Sequence, residues 1–172
     1  MGKYRHHHPL WYVRVGYLML VVLPVVYPTD LATATNGELP ATLLTQIGPR
    51  GYLHHTTARA WRALTAEALK AGWELTYTYG GTYRTHTEQT ALFLSRYTTA
   101  VLPGRPTKTW NGQVWYQKPN TAMAAVPGTS NHGWALAIDT ALGTGPNTAK
   151  PITPAVDWLA ANAPRFGFSW EG

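Results

Sequence analysis

This chain of 172 residues predicts an α+β fold, a small antiparallel sheet with flanking helices. Three observations carry that expectation. Helical apolar spacing bounded by caps and stops recurs along the body. Alternating stretches and an Asn-Gly turn fall between those helices, which favours hairpins over parallel crossovers. Apolar residues make up 45% and charged residues 13%, enough for one real core and too little charge for a disordered polyelectrolyte or a coiled coil. There is no internal repeat, and the length suits one domain with a short extension.

The extension is residues 1–35. Lys3, Arg5 and Arg14 precede or open an apolar run that reaches Val26, and Ala32-Thr33-Ala34 follows. A basic end, a short apolar stretch and a small-residue site are the layout of a secretory signal. The run is short and interrupted by Pro24, which argues against a membrane span. Val and Tyr dominate it, so it can also pair as a strand, with a neighbouring chain or with this domain. The expectation is an assembly or anchor segment, with a signal and a local strand as alternatives. His6-His7-His8 reads as a tag fragment, a metal-binding tract or plain surface. Three consecutive His do not easily reach one metal, so surface is the default.

The body runs from Asn36 to Gly172. Asn36-Gly37-Glu38-Leu39-Pro40 is a turn. Thr56 or Thr57 caps a helix to Ala71, with Gly72 as its stop. Trp61, Leu64 and Ala68 share its core face. Trp73 to Tyr79 alternates as a strand. Thr85 and Glu88 form a capping box for a second helix to about Thr98, with Leu92, Phe93 and Tyr97 on its apolar side. Asn111-Gly112 turns a hairpin between Lys108 and Gln117. Residues 99–107 and 118–129 are long loops, where function concentrates. Thr153-Pro154 opens a third helix to Asn162, and Phe166 to Trp170 reads as a final strand.

Net charge is +6, carried by fourteen Lys and Arg that are scattered without a run of three. That pattern excludes a nucleic-acid footprint and leaves weak attraction to an anionic polymer, or plain solubility. There is no cysteine, hence no disulfide, thiol nucleophile or cysteine zinc site. Any metal must sit on the seven His or on Asp30, Glu38, Glu67, Glu74, Glu88, Asp139, Asp157 and Glu171.

The densest chemical signal is Pro127-Gly-Thr-Ser130-Asn-His132-Gly-Trp-Ala135-Leu-Ala137-Ile-Asp139. It reads as a turn handing over to a small-residue strand that ends in a carboxylate. His132 and Asp139 are seven apart, an odd separation that puts them on opposite faces of a strand. A bend near Gly133 is needed for them to meet. Together they suit zinc. Read without function, they are a buried hydrogen-bonded His and a turn-capping Asp.

These residues resemble a known family. Ser130-x-His132-x-x-x-x-Ala137-x-Asp139 is similar to the signature of the zinc D-Ala-D-Ala carboxypeptidases, VanY-like peptidoglycan peptidases of the lysostaphin/hedgehog-type fold. Tyr83-Arg84-x-x-x-x-Gln89 matches a second family stretch, with Thr85 in place of Ser. The Asn-Gly-x-Leu-Pro opening, Lys108-Thr-Trp110 and the Pro-Gly-Thr-Ser-Asn-His run resemble the actinobacterial and actinophage branch. The likeness covers residues 36–171 or so. It implies a D-Ala-D-Ala carboxypeptidase/hedgehog-like fold, with Zn2+ on His132 and Asp139. It implies Arg84 as the catalytic cation on a substrate carboxylate or polarised carbonyl, the plain alternative being a surface salt bridge. Ser130, Gln89 and Tyr83 would bind substrate or support the site.

The resemblance also implies a Glu-x-x-His or Glu-x-Trp-His segment after the last strand, giving a general base and a third ligand. No His follows His132, and Glu171 resembles a strand-end residue that comes before that segment. His54, His55 and His86 are the remaining candidates for a third ligand. The expectation is a domain at 36–172 that lacks its C-terminal end. The function it implies is digestion of bacterial peptidoglycan, at terminal D-Ala or within the stem peptide. The expected setting is a phage tail in the virion, with residues 1–35 meeting other tail proteins and no nucleic-acid partner. The alternatives are a catalytically incomplete structural or wall-binding tail component, and a secreted or membrane-anchored envelope carboxypeptidase.

Overall fold

Residues 24–142 and 154–169 are described in the structure, a computed structural model of the chain. Single 3-10 turns at Thr29–Leu31 and Ala41–Leu43 come first. Strands β1 (Leu44–Gly48) and β2 (Gly51–His54) then form an antiparallel hairpin. Helix α1 (His55–Lys70) leaves β2 without a loop. Its cap is therefore His54, whose Nδ1 accepts the Thr56 N–H at 3.3 Å, and not Thr56 or Thr57, which already lie in the first turn. Gly72, at φ +83°, ends it as its sequence position suggests. Ala58, Trp61, Leu64 and Ala68 bury one face of α1 against Leu53, Leu75, Leu159 and Ala163.

Strand β3 is only Leu75–Tyr77, shorter than the alternation from Trp73 to Tyr79. Helix α2 (His86–Arg96) carries the full capping box: the Thr85 hydroxyl accepts the Glu88 N–H, and the Glu88 carboxylate accepts the Thr85 N–H at 2.8 Å. The helix stops at Arg96 because the chain turns extended at Tyr97 to enter β4 (Tyr97–Thr98). Strands β5 (Thr107–Trp110) and β6 (Gln113–Gln117) make the expected hairpin. Asn111 and Gly112 are both left-handed, at φ 50° and 71°, the condition for a tight two-residue turn. Phe93 and Tyr97 stack with centroids 4.6 Å apart, and Trp110 and Trp115 close around Phe93.

A 3-10 turn at Asn131–Trp134 precedes β7 (Thr140–Leu142), which pairs antiparallel with β3. Helix α3 (Pro154–Asn162) runs into a 3-10 turn at Ala163–Phe166. The strand expected from Phe166 to Trp170 is not formed over its described part. Pro164 cannot donate to a ladder and Gly167, at φ +80°, turns the chain away. Thr153, Trp170 and Glu171 lie outside the described residues.

The fold class is α+β, with helices and small antiparallel pairings as expected. The expectation of one sheet carrying His132 and Asp139 needs correction. Among the described residues there are three separate pairings, β1-β2, β3-β7 and β4-β6-β5, and both residues stand outside every strand. A third core patch joins Leu31, Leu39 and Ala135, with Tyr83 and Trp134 against it. Residues of the N-terminal extension thus pack on the body: Leu31 is 4% exposed, and Tyr27 meets Trp134 edge-on. No described helix is long and apolar enough to cross a membrane.

Candidate active site

Two backbone segments build the site. Residues 81–84 leave the β3 turn and pass between β2 and the 131–139 loop. On one side the Tyr83 N–H reaches the Tyr52 carbonyl at 2.8 Å. On the other, the Arg84 N–H donates to the His132 carbonyl at 3.1 Å and the Asp139 N–H donates to the Gly81 carbonyl at 2.7 Å. Gly81 has to be small here, because a Cβ would press on the Asp139 Cβ and the Thr78 side chain.

The expected strand from Ala135 to Asp139 is replaced by a tight reversal. Ser130 caps the 3-10 turn by accepting the His132 N–H at 3.3 Å. Ala135 closes it in the left-handed region, at φ 55°. That conformation costs an alanine about 1–2 kcal/mol. It persists because Ala135 is fully buried, donates to the His132 carbonyl and accepts the His54 N–H. Gly133 sits against the amide of buried Asn36, where a Cβ would collide; Asn36 in turn donates to the Ser130 carbonyl at 2.8 Å. This reversal is the bend that the odd spacing of His132 and Asp139 demands.

The structure brings His132 and Asp139 together, with Nε2 and Oδ1 3.5 Å apart. The other ring nitrogen, Nδ1, stands 2.9 Å from the Thr82 carbonyl, which can only accept. Nδ1 therefore carries the hydrogen, and Nε2 is the nitrogen turned to Asp139. Burial works to raise the Asp139 pKa. The hydrogen bond and charge of a protonated His132, then Arg84 and Arg96, outweigh it and hold the carboxyl below its usual range.

Arg84 is mostly buried and held from two sides: it donates to Gln89 Oε1 at 2.8 Å and to the Gly80 carbonyl at 3.1 Å. A third contact, to Asp139 Oδ2, is longer at 3.8 Å. Burial lowers the Arg84 pKa and Arg96 adds to this, while Asp139 and Glu88 oppose it. Gln89 is buried under Arg84 and ties it to the Ala125 carbonyl at 2.7 Å. These side chains open on a cleft of about 340 Å³, with Arg84, Arg96, Ala125, Ser130, His132 and Asp139 in its wall.

Tyr83 is not brought to the cleft. Its hydroxyl accepts the Leu39 N–H at 2.9 Å, in the patch with Leu31 and Ala135, so it supports the Asn36–Pro40 turn from behind. Burial raises its pKa. Ser130 and Gln89 stand as supports. Among the described residues, none of His54, His55 and His86 forms a ligand-sharing group with His132 and Asp139. Sequence reasoning missed Thr82, which contributes a backbone carbonyl and so leaves no side-chain signal. It also missed Arg96, and it read Asn36 only as a turn residue.

The fold and this cleft define an α+β domain of the peptidoglycan carboxypeptidase type. The family model VanY, D-alanyl-D-alanine carboxypeptidase, matches residues 50–171, well over half of the chain, and the chain belongs to that family. No curated protein matches it.

Proposed function

We propose that this protein is a zinc-dependent peptidase that hydrolyses the peptide stem of peptidoglycan in the His132–Asp139 cleft. One observation carries the reading: the 3.5 Å between His132 Nε2 and Asp139 Oδ1, with Nδ1 committed to the Thr82 carbonyl. Two ligands on one tetrahedral zinc, each at about 2.0–2.2 Å, stand about 3.4 Å apart. The pair fits that spacing, and a hydrogen bond from the far ring nitrogen is how zinc-binding imidazoles are oriented. Zinc bound there supplies a polarised carbonyl and an activated water.

The chain's own residues do the rest. Arg84, fixed by Gln89, offers a guanidinium to a substrate carboxylate, as a D-alanine terminus presents. Gln89 and Ala125 set where that charge stands. The Asp139 carboxyl is held below its usual range, which favours the ionised form a metal needs, and His132 turns Nε2 toward it. Among the described residues these supply two protein ligands, where catalytic zinc normally has three.

A second reading is a wall-binding component that keeps the fold without the chemistry. The setting we propose in either case is a phage tail, with residues 1–35 tying the domain to neighbouring tail proteins. Support for it is the resemblance of the Pro127–His132 run to the actinophage branch, and exposed Val26 offers an apolar contact. Incubating the zinc-supplemented protein with purified peptidoglycan separates the two readings. Release of D-alanine or stem fragments that stops in His132→Ala and on chelation supports the enzyme. Sedimentation with the wall in the absence of any release supports the binding component and overturns the peptidase reading.

A further inference from the structure

Outside the cleft, Asp30, His54 and His55 make a second cluster of metal-ligating groups. Asp30 lies in the Thr29–Leu31 turn, anchored by buried Leu31. His54 ends β2 and caps α1, and His55 is the first residue of that helix. His54 Nε2 is 3.1 Å from Asp30 Oδ1, and His55 Nε2 is 3.2 Å from Asp30 Oδ2. One ligand atom from each of the three falls within 4.8 Å of the others.

A second observation concerns the buried member of the cluster. His54 is fully buried, and its Nε2 has the Asp30 carboxylate as its only facing group among the described residues, at 3.1 Å and off the line of a good hydrogen bond. A buried imidazole nitrogen held at poor angle gains little from that contact, and an ion shared with Asp30 and His55 would use its lone pair fully.

We propose that Asp30, His54 and His55 form a structural site for a divalent transition metal of the zinc class. Two imidazoles and one carboxylate suit zinc and its neighbours, whereas calcium and magnesium take oxygen ligands. The N-terminus of α1 disfavours a cation, so binding rests on the nitrogen lone pairs and the Asp30 charge. The ion would pin the N-terminal segment to α1. It would also brace the candidate active site, because the His54 N–H donates to the Ala135 carbonyl at 3.0 Å and Ala135 closes the His132 turn.

Binding has a specific local consequence. His54 Nδ1 now accepts the Thr56 N–H. Ligation through Nε2 places the ring hydrogen on Nδ1, so the Thr56 amide loses that acceptor.

The test is a ZnCl2 titration of the full chain carrying His6→Ala, His7→Ala and His8→Ala, which removes the sequence's other His tract. It is followed by melting temperature and by the backbone amide resonance of Thr56. Zinc is expected to raise the melting temperature and shift the Thr56 resonance, and Mg2+ to do neither. Loss of an outer-shell partner alone weakens a metal site about 10–100-fold. Asp30→Asn and His55→Ala, each removing a ligand, should weaken the response at least that much. His132→Ala should retain it, which separates this site from the cleft. An unmoved Thr56 resonance, a Thr56 shift that survives both ligand variants, or a Thr56 shift that disappears only in His132→Ala overturns the proposal.

Discussion

Gly133 and Ala135 decide the site at the scale of single residues. Gly133 was legible as the place for a bend between His132 and Asp139. The left-handed Ala135 was not, because alanine carries no sequence signal for that conformation; only the surrounding hydrogen bonds impose it. Gly133→Ala should therefore push on the Asn36 amide and displace the loop. Overpacking of this kind costs about 1–3 kcal/mol, to be read by urea denaturation, and the displaced loop carries His132 with it. Tyr83 gives a pH prediction. Burial raises its folded pKa above the ordinary value of 10.0, so the unfolded chain ionises it first. Its contribution is fully present below the unfolded pKa and is lost as pH rises through the folded one. The unfolding midpoint should drop above about pH 10, and the drop should be shallower in Tyr83→Phe.

Among the elements, those with local signals were readable. The capping box at Thr85 and Glu88, the Gly72 stop and the Asn111-Gly112 turn each solve a backbone problem within a few residues, and each stands where its signal put it. What was not readable depends on partners far along the chain. Strand β3 pairs along its whole length with Thr140–Leu142 of β7, and β7 follows the Ala135 reversal. The β1-β2 hairpin went unmarked although Pro49 and Gly51 frame its turn, because Leu44-Thr-Gln-Ile-Gly48 does not alternate apolar and polar residues; its residues are half-buried except exposed Gln46. The strand placed at Phe166 ignored Pro164 and Gly167, two breakers within four residues. The capping box also sets the start of α2 directly after Arg84. Thr85→Ala should cost about 1 kcal/mol. In an active protein it should raise KM more than it lowers kcat, since it loosens the mount of the guanidinium and leaves His132 and Asp139 in place.

For the molecule as a whole, the family and the fold class were legible from two motifs in order, and the helices followed. The position of the N-terminal extension was not, since a boundary drawn by composition at residue 35 says nothing of contacts. Leu31 is 4% exposed among Leu39 and Ala135, next to the loop that carries His132. Leu31→Ala should destabilise the domain by about 2–5 kcal/mol, measured by chemical denaturation, whereas a freely attached extension would leave the midpoint unchanged.

The central claim is that His132 and Asp139 share a zinc ion beside Arg84. An anomalous difference map at the zinc edge, from crystals of the protein soaked in zinc, tests it directly. A peak is expected within about 2.0–2.2 Å of both His132 Nε2 and an Asp139 oxygen, with His132 Nδ1 still on the Thr82 carbonyl. A map in which this cleft carries no peak, or in which His132 has turned to face zinc through Nδ1, would contradict it.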